Sequence, residues 1–554
     1  MVSARLIRSE RLAIKEKEFI LAARVSGQSN MGIMRHMLPN VISTVVVVAT
    51  LSVATGILTE SALSYFGLGI QSPNASWVSM LSGAQGYIFV NPMQGVYPGA
   101  LIVLTVLGVN FQDEGLHKTL DIRDSQAGEL RRPRVSRPFY TRGSNVTMQR
   151  DQMTKSQLAI DGGDPVRIAP FPSWPVYDER EERLLLEVLR SGNWGEVSGS
   201  EVTTFAARFA AYQGAQYGIC VPNGTMAIQL GLKALGIGAG DEVITTPYTF
   251  IATADAALLL GAKPVFVDVK SDTCNVDPDR LAAAITPRTK AIVPVHIGGQ
   301  PADMDGVTNF ANEHGLFVPE DASQAGGAEW KRTRIGAIGD LGCFSFQAGK
   351  NINAGECGIV VTNDPELAEI CWSLHNVGRI RGGEWYQHEL LGWNFRMTEW
   401  QAAVLHAQLD RLPEQEPIRE RSARYLDEAI ATIDGLSPVD VDPRMTRHAH
   451  HLYPARYDAA AFGGHTRDLF LRALPAEGIT CVSAGYVPLT SSPAIRRTIA
   501  EAFREESLAQ IDTCPIAEEV SRDVFWLTQV ALLGDQEALD SILASIRKIQ
   551  TVWR

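Results

Sequence analysis

Two ionisable residues stand where a chain could put them to chemical use. Asp321 closes a short apolar run, Leu316-Phe317-Val318-Pro319-Glu320, and a second run, Leu341 to Phe346, leads through a Gly-Lys turn to Lys350. Runs of this length read as buried strands, and side chains at strand ends project into a shared crevice in α/β folds. An amine held in such a crevice can condense with a carbonyl group, while a carboxylate opposite it can keep a ring nitrogen protonated as an electron sink.

The residues around the pair narrow that chemistry. Glu320, Asp321 and Gln324 are followed by Gly339, Asp340, Gly342, Phe344, Ser345, Phe346 and Lys350. This segment resembles the DegT/StrS family of pyridoxal phosphate (PLP)-dependent sugar aminotransferases, in which E-D-x-x-Q/H precedes G-D-x-G-x-F-S-F and a Schiff-base lysine. The resemblance implies that Lys350 holds PLP and later shuttles the substrate proton as a general base, while Asp321 keeps the pyridine nitrogen protonated. Asn223-Gly224-Thr225 sits where a strand-like run, Gly218 to Val221, turns into a helix. A helix N-terminus offers free N–H groups to an anion. In the family this motif and the serine five residues before the lysine, here Ser345, face the cofactor phosphate. By the same resemblance Phe250 stacks on the ring, Gln324 approaches the ring hydroxyl, and Asn394 reaches the phosphate of a neighbouring subunit's cofactor, which implies a homodimer.

Two positions depart from the family pattern. Cys357 replaces a glycine after the lysine and is expected beside the site, and Gly298 stands where a bulkier aromatic is frequent. The segments FPSWP at Phe171 and FSFQ-x-x-K at Lys350 look most like those of cyclitol aminotransferases and aminohydroxybenzoate synthases. The implied reaction moves an amino group from glutamate or glutamine to a keto-sugar, keto-cyclitol or related ketone. The alternative within the family is a sugar dehydratase using the aminated cofactor, which has histidine in place of the lysine; no histidine lies between His314 and His375 here.

Positioning these residues requires alternating strands and helices. Strands are predicted at Glu242–Ile244, Pro264–Val269, Ala291–Val295 and Leu316–Pro319, and helices at Met226–Leu235, Ile251–Leu260, Asp279–Ile285 and Met304–His314. Short buried strands between amphipathic helices imply a mostly parallel sheet covered on both faces. After Thr398 a long helical stretch leads to an α+β portion with helices at Thr466–Ala476 and Glu537–Val552. The expected organisation is an α/β, fold type I PLP-enzyme architecture, with a large domain at 157–410 and a smaller one at 411–554.

The chain of 554 residues has room for further domains. Its net charge of −12 argues against nucleic-acid binding. Seven scattered cysteines without a C-x-x-C pair give no metal spacing and read as reduced thiols of a cytoplasmic enzyme. The first 123 residues differ in kind. Val41 to Thr59 is uncharged and apolar, near the length that crosses a bilayer, and Tyr87 to Phe111 is a second, weaker candidate. The segment EFILAARVSGQSNMGIMRHMLPN resembles the coupling loop of dipeptide and oligopeptide ABC transporter permeases, with Ala22, Ala23 and Gly27 matching and Leu21 replacing the usual glutamate. Residues 1–123 are thus expected to be a permease remnant in the inner membrane, an active transporter being the rival reading, and 124–156 a linker.

Overall fold

The computed structural model describes residues 157–503 and 514–554. The permease and linker expectations fall on 1–156 and lie outside the described residues. Among the described residues no helix is long and apolar enough to cross a membrane.

The chain in order gives helices α1 (Glu179–Ser191) and α2 (Glu201–Tyr212), strand β1 (Tyr217–Val221), α3 (Gly224–Ala234), β2 (Glu242–Thr245), α4 (Ala252–Leu259), β3 (Lys263–Phe266) and β4 (Thr289–Val293). Then come α5 (Met304–His314), β5 (Pro319–Asp321), β6 (Leu341–Ser345), β7 (Gly358–Thr362), α6 (Pro365–His375) and the long α7 (Glu399–Ile430). Strands β3, β2 and β4 pair in parallel, as do β5 and β6. Parallel bridges Ala291–Phe317 and Val295–Asp321 join β4 to β5. The sheet therefore reads β3-β2-β4-β5-β6-β7-β1, and β7 alone runs antiparallel to its neighbours. Because the other strands share one direction, their carboxyl ends open on one edge, where α/β sheets bind ligands.

The predicted α-helix at 279–285 is instead a 3-10 turn, Pro278–Ala283. Asp277 does cap it, accepting from the Asp279 amide at 3.2 Å. Pro287 disfavours helical geometry at Thr286, and so few residues leave too little room for an α-helical ladder.

The second half contributes β8 (Leu436–Pro438), β9 (Leu452–Tyr457), α8 (Arg467–Ala476), β10 (Val482–Ser483), β11 (Val524–Thr528) and α9 (Gln536–Trp553), the strands forming an antiparallel sheet in the order β8-β9-β11-β10. Tyr453, Phe470, Phe525 and Ile546 pack its core. Helix α7 serves two cores: Ala402, Leu405 and Leu409 join that of the large sheet, and Ala423, Leu426 and Ile430 join the smaller one. The boundary expected at residue 410 falls inside this helix. Leu158, near the beginning of the described chain, also packs in the smaller core. All seven cysteines are buried.

Candidate active site

The site assembles at the carboxyl edge of the sheet. Asp321 is the last residue of β5 and is buried. Its Oδ2 accepts a hydrogen bond from Thr253 Oγ1 at 2.7 Å, and its Oδ1 accepts from the Ser323 amide at 3.2 Å. Thr253 lies in the first turn of α4 and also meets Thr249 Oγ1 at 3.0 Å. A hydroxyl pair from the β2–α4 connection therefore holds one carboxylate oxygen in place.

The preceding residue braces the same strand end from behind. Glu320 is wholly buried and accepts backbone hydrogen bonds from Gly336 at 2.8 Å, Ile338 at 2.9 Å and Gly339 at 2.7 Å. His296 Nε2 lies 3.2 Å from Glu320 Oε2, and its Nδ1 accepts from the Ala302 amide at 3.0 Å. That pattern assigns the imidazole proton to Nε2. Four donors satisfy a carboxylate that would otherwise be costly to bury.

Lys350 lies beyond β6 in a turn closed by its own amide on the Gln347 carbonyl at 2.8 Å. It lines a small cavity with Gln324, Ser345, Asn351 and His451. Burial pushes its amine down to about 8, while the Asp321 charge pulls the other way. An amine so desolvated is a neutral nucleophile for a substantial fraction of molecules near neutral pH.

At the end of β1, Asn223 caps α3 by accepting from the Met226 amide at 2.9 Å, so Gly224 and Thr225 present the first amides of the helix. Gly224 is there for space: a Cβ on it would sit 2.7 Å from Ser345 Cβ and 3.1 Å from Ser345 Oγ. Helix N-terminus and serine hydroxyl thus share one small anion seat.

Phe250 is 58% exposed, an unusual setting for an aromatic ring, with its centroid 6.4 Å from that of Tyr486. Gln324 is buried and already engaged, its Oε1 accepting from the Gly298 amide at 2.7 Å and its Nε2 donating to Tyr486 Oη at 2.8 Å. One amide hydrogen remains for a ligand. Gly298 has φ +65°, so the departure from an aromatic residue gives a left-handed turn whose amide orients Gln324. Asn394 is exposed after α6, bridging to Asn376 through the backbone. Cys357, expected beside the site, is wholly buried and belongs to the large core with Val202 and Phe205.

The model of the DegT/DnrJ/EryC1/StrS aminotransferase family matches residues 175–547. The chain is 37% identical over 407 residues to a putative L-glutamine:3-amino-2,3-dideoxy-scyllo-inosose aminotransferase of Streptoalloteichus tenebrarius, covering 71% of this chain and 98% of that protein. This protein belongs to the DegT/DnrJ/EryC1/StrS aminotransferase family. It is a PLP-dependent transaminase. A 3-amino-5-hydroxybenzoate synthase of Amycolatopsis mediterranei is 39% identical over 382 residues, covering 67% of this chain and 96% of its own length. A crystal structure of 3-amino-5-hydroxybenzoic acid synthase superposes with a TM-score of 0.64 at 35% identity, covering 70% of this chain and 99% of that one. Such neighbours are mixed α/β PLP aminotransferases. Separately, residues 1–121 match the model of a binding-protein-dependent transport system inner membrane component.

The aminotransferase residues fit PLP on three counts that belong to this structure. The seat beside Gly224 has no room for a Cβ, the Lys350 amine is desolvated, and Asp321 is a buried carboxylate on the same strand edge. Four neighbours were invisible to motif reading. Thr253, Tyr486 and His451 touch or flank the site from segments far away in the chain, and Trp174 donates Nε1–H to the Ala348 carbonyl at 2.8 Å within the lysine turn. Burial and the Asp321 charge drive the Tyr486 phenol well above its ordinary range, so it stays a neutral hydroxyl. Only the cluster FPSWP carried a hint of Trp174.

Proposed function

We propose that this transaminase takes an amino group from glutamine or glutamate and delivers it to a keto-cyclitol or related cyclic polyhydroxy ketone. The observation that carries the reading is Lys350 itself, a desolvated amine on the strand edge shared with the buried Asp321. Support for the substrate class comes from the relatives, six of which are named for scyllo-inosose derivatives with L-glutamine as donor.

In this reading, bound PLP supplies an electron sink that lets an amino group leave one carbon skeleton and join another. Lys350 would hold it through its amine and would serve as the general base that moves the substrate proton. Asp321 holds the pyridine nitrogen in its protonated state, and Thr253 holds Asp321. The amides of Gly224 and Thr225 with the Ser345 hydroxyl would hold the phosphate, Phe250 would cover the ring, and Gln324 would have one amide hydrogen left to donate to it. Asn394, exposed in the single chain, completes the phosphate site of a second subunit in a homodimer. We assign the fold to fold type I on the same basis.

The test uses light absorption. Glutamine alone is expected to convert the yellow enzyme to its aminated form, with one keto acid released per site, and 2-deoxy-scyllo-inosose is expected to restore the original spectrum and emerge aminated. Lys350→Ala is expected to abolish the borohydride-reducible attachment while leaving the circular dichroism unchanged. If no amino donor shifts the spectrum, but a deoxygenated sugar accumulates when the aminated cofactor is supplied, the enzyme is a dehydratase.

A further inference from the structure

The segment Arg447 to Leu452 crosses the floor of the site, tied down on three sides. The Ala449 amide donates to the Gly299 carbonyl at 3.0 Å, beside the turn that orients Gln324. The Ala449 carbonyl accepts from Asn351 Nδ2 at 2.7 Å, next to the lysine. His450 Nε2 reaches Glu420 Oε2 on α7 at 3.0 Å, and its ring stacks on that of His448 with centroids 4.2 Å apart. His450 itself adopts φ 49°, which turns the chain sharply before His451. A segment fixed this firmly gives the next imidazole a defined place.

That place is the cavity lined by Gln324, Ser345 and Lys350. Nδ1 of His451 is buried and has no hydrogen-bond partner. A buried polar atom without a partner at the edge of a reaction cavity is completed by whatever enters the cavity. The charged groups facing the ring are Lys350 and, from α7, Arg419; together with burial they hold the imidazole neutral. A neutral imidazole offers one donor and one acceptor, which suits a hydroxyl group and gives no ionic attraction to a carboxylate.

We propose that His451 hydrogen-bonds through Nδ1 to a hydroxyl group of the acceptor ketone, orienting the carbonyl carbon toward the amine side of the site. This rests on the polyhydroxy-ketone reading above. His451 thereby selects the acceptor and leaves the amino donor and the cofactor untouched.

The experiment compares wild-type holoenzyme with His451→Leu, His451→Asn and His451→Gln, measuring each half-reaction separately by absorbance. L-glutamine serves as donor and 2-deoxy-scyllo-inosose as acceptor, and cofactor retention and melting temperature are recorded for every variant. The expected result is an acceptor KM at least tenfold higher in His451→Leu, with the glutamine half-reaction and cofactor content within twofold of wild type. Asparagine, whose amide overlays Nδ1, is expected to restore the acceptor KM to within threefold, and glutamine, whose amide overlays Nε2, is not. The acceptor is also expected to raise the melting temperature of wild type and of His451→Asn, but not of His451→Leu. Parallel loss of both half-reactions, loss of cofactor, or an unchanged acceptor KM in His451→Leu overturns the proposal. If wild type accepts glutamine's amino group but does not pass it to the cyclic ketone, the acceptor reading fails and this assignment falls with it; an intact wild-type cycle with an unchanged variant refutes the assignment alone.

Discussion

The state of the Lys350 amine can be read by how fast it captures PLP. An ordinary lysine has a pKa of 10.5, and burial brings this one to about 8. At pH 7 that raises the neutral fraction from roughly 1 in 3,000 to roughly 1 in 10, about a 300-fold gain in the form that can attack an aldehyde. Cofactor-free enzyme mixed with PLP, quenched with borohydride at intervals and digested for mass spectrometry reports the rate of attachment at Lys350. The rate is expected to rise about tenfold per pH unit and level off above about 8. The sign for stability follows from proton counting. Between about 8 and 10.5 the unfolded chain holds a proton that the folded chain has shed, so the cofactor-free fold gains stability as pH rises through that window. Asp321 opposes the depression, so Asp321→Asn is expected to move the plateau to lower pH, even though the variant holds PLP less tightly. A rate that keeps climbing beyond pH 10, or a plateau in Asp321→Asn that stays put or rises, would refute the account of a desolvated amine under the influence of that carboxylate.

Gly224→Val is expected to displace Ser345, because the new Cβ starts 2.7 Å from the serine Cβ; weaker cofactor retention on gel filtration, with a stability loss of about 1–3 kcal/mol by urea titration, checks it. Thr253→Val removes the hydroxyl that donates to buried Asp321 at 2.7 Å, and leaving that acceptor short costs about 1–3 kcal/mol, visible as a lowered melting temperature together with faster PLP release. A chain starting at Met153 is expected to be as active as the full chain and to sediment as a dimer, since the site residues and both cores lie beyond residue 157; absence of bound PLP after truncation would show that the earlier residues belong to the enzyme.

Much of the site was legible because its chemistry is encoded locally. Asp321 ends a short apolar strand and Lys350 follows another, so their positions at strand ends were readable, while the pairing of acid and amine rested on the resemblance of the surrounding motif. Asn223 and Gly224 announced a capped helix start by the ordinary preference of those residues. The parallel sheet followed from alternating strand and helix signals, and only the 3-10 turn after Asp277 departed in kind, where Pro287 cuts the helix short. What the linear chain could not reveal is which distant segments close the site. Thr253 looks like any helical threonine until folding brings it 2.7 Å from Asp321. Tyr486 and His451 come from the smaller α+β portion, 162 residues beyond Gln324 and 101 residues beyond Lys350, respectively. Cys357, adjacent in sequence to the lysine turn, is buried in the core of the large sheet, a packing that its place in the chain did not announce. Local propensity sets strand ends and caps. Which side chains then share a cavity depends on register and packing between remote elements, and that information exists only once the sheet, α7 and the smaller core have come together.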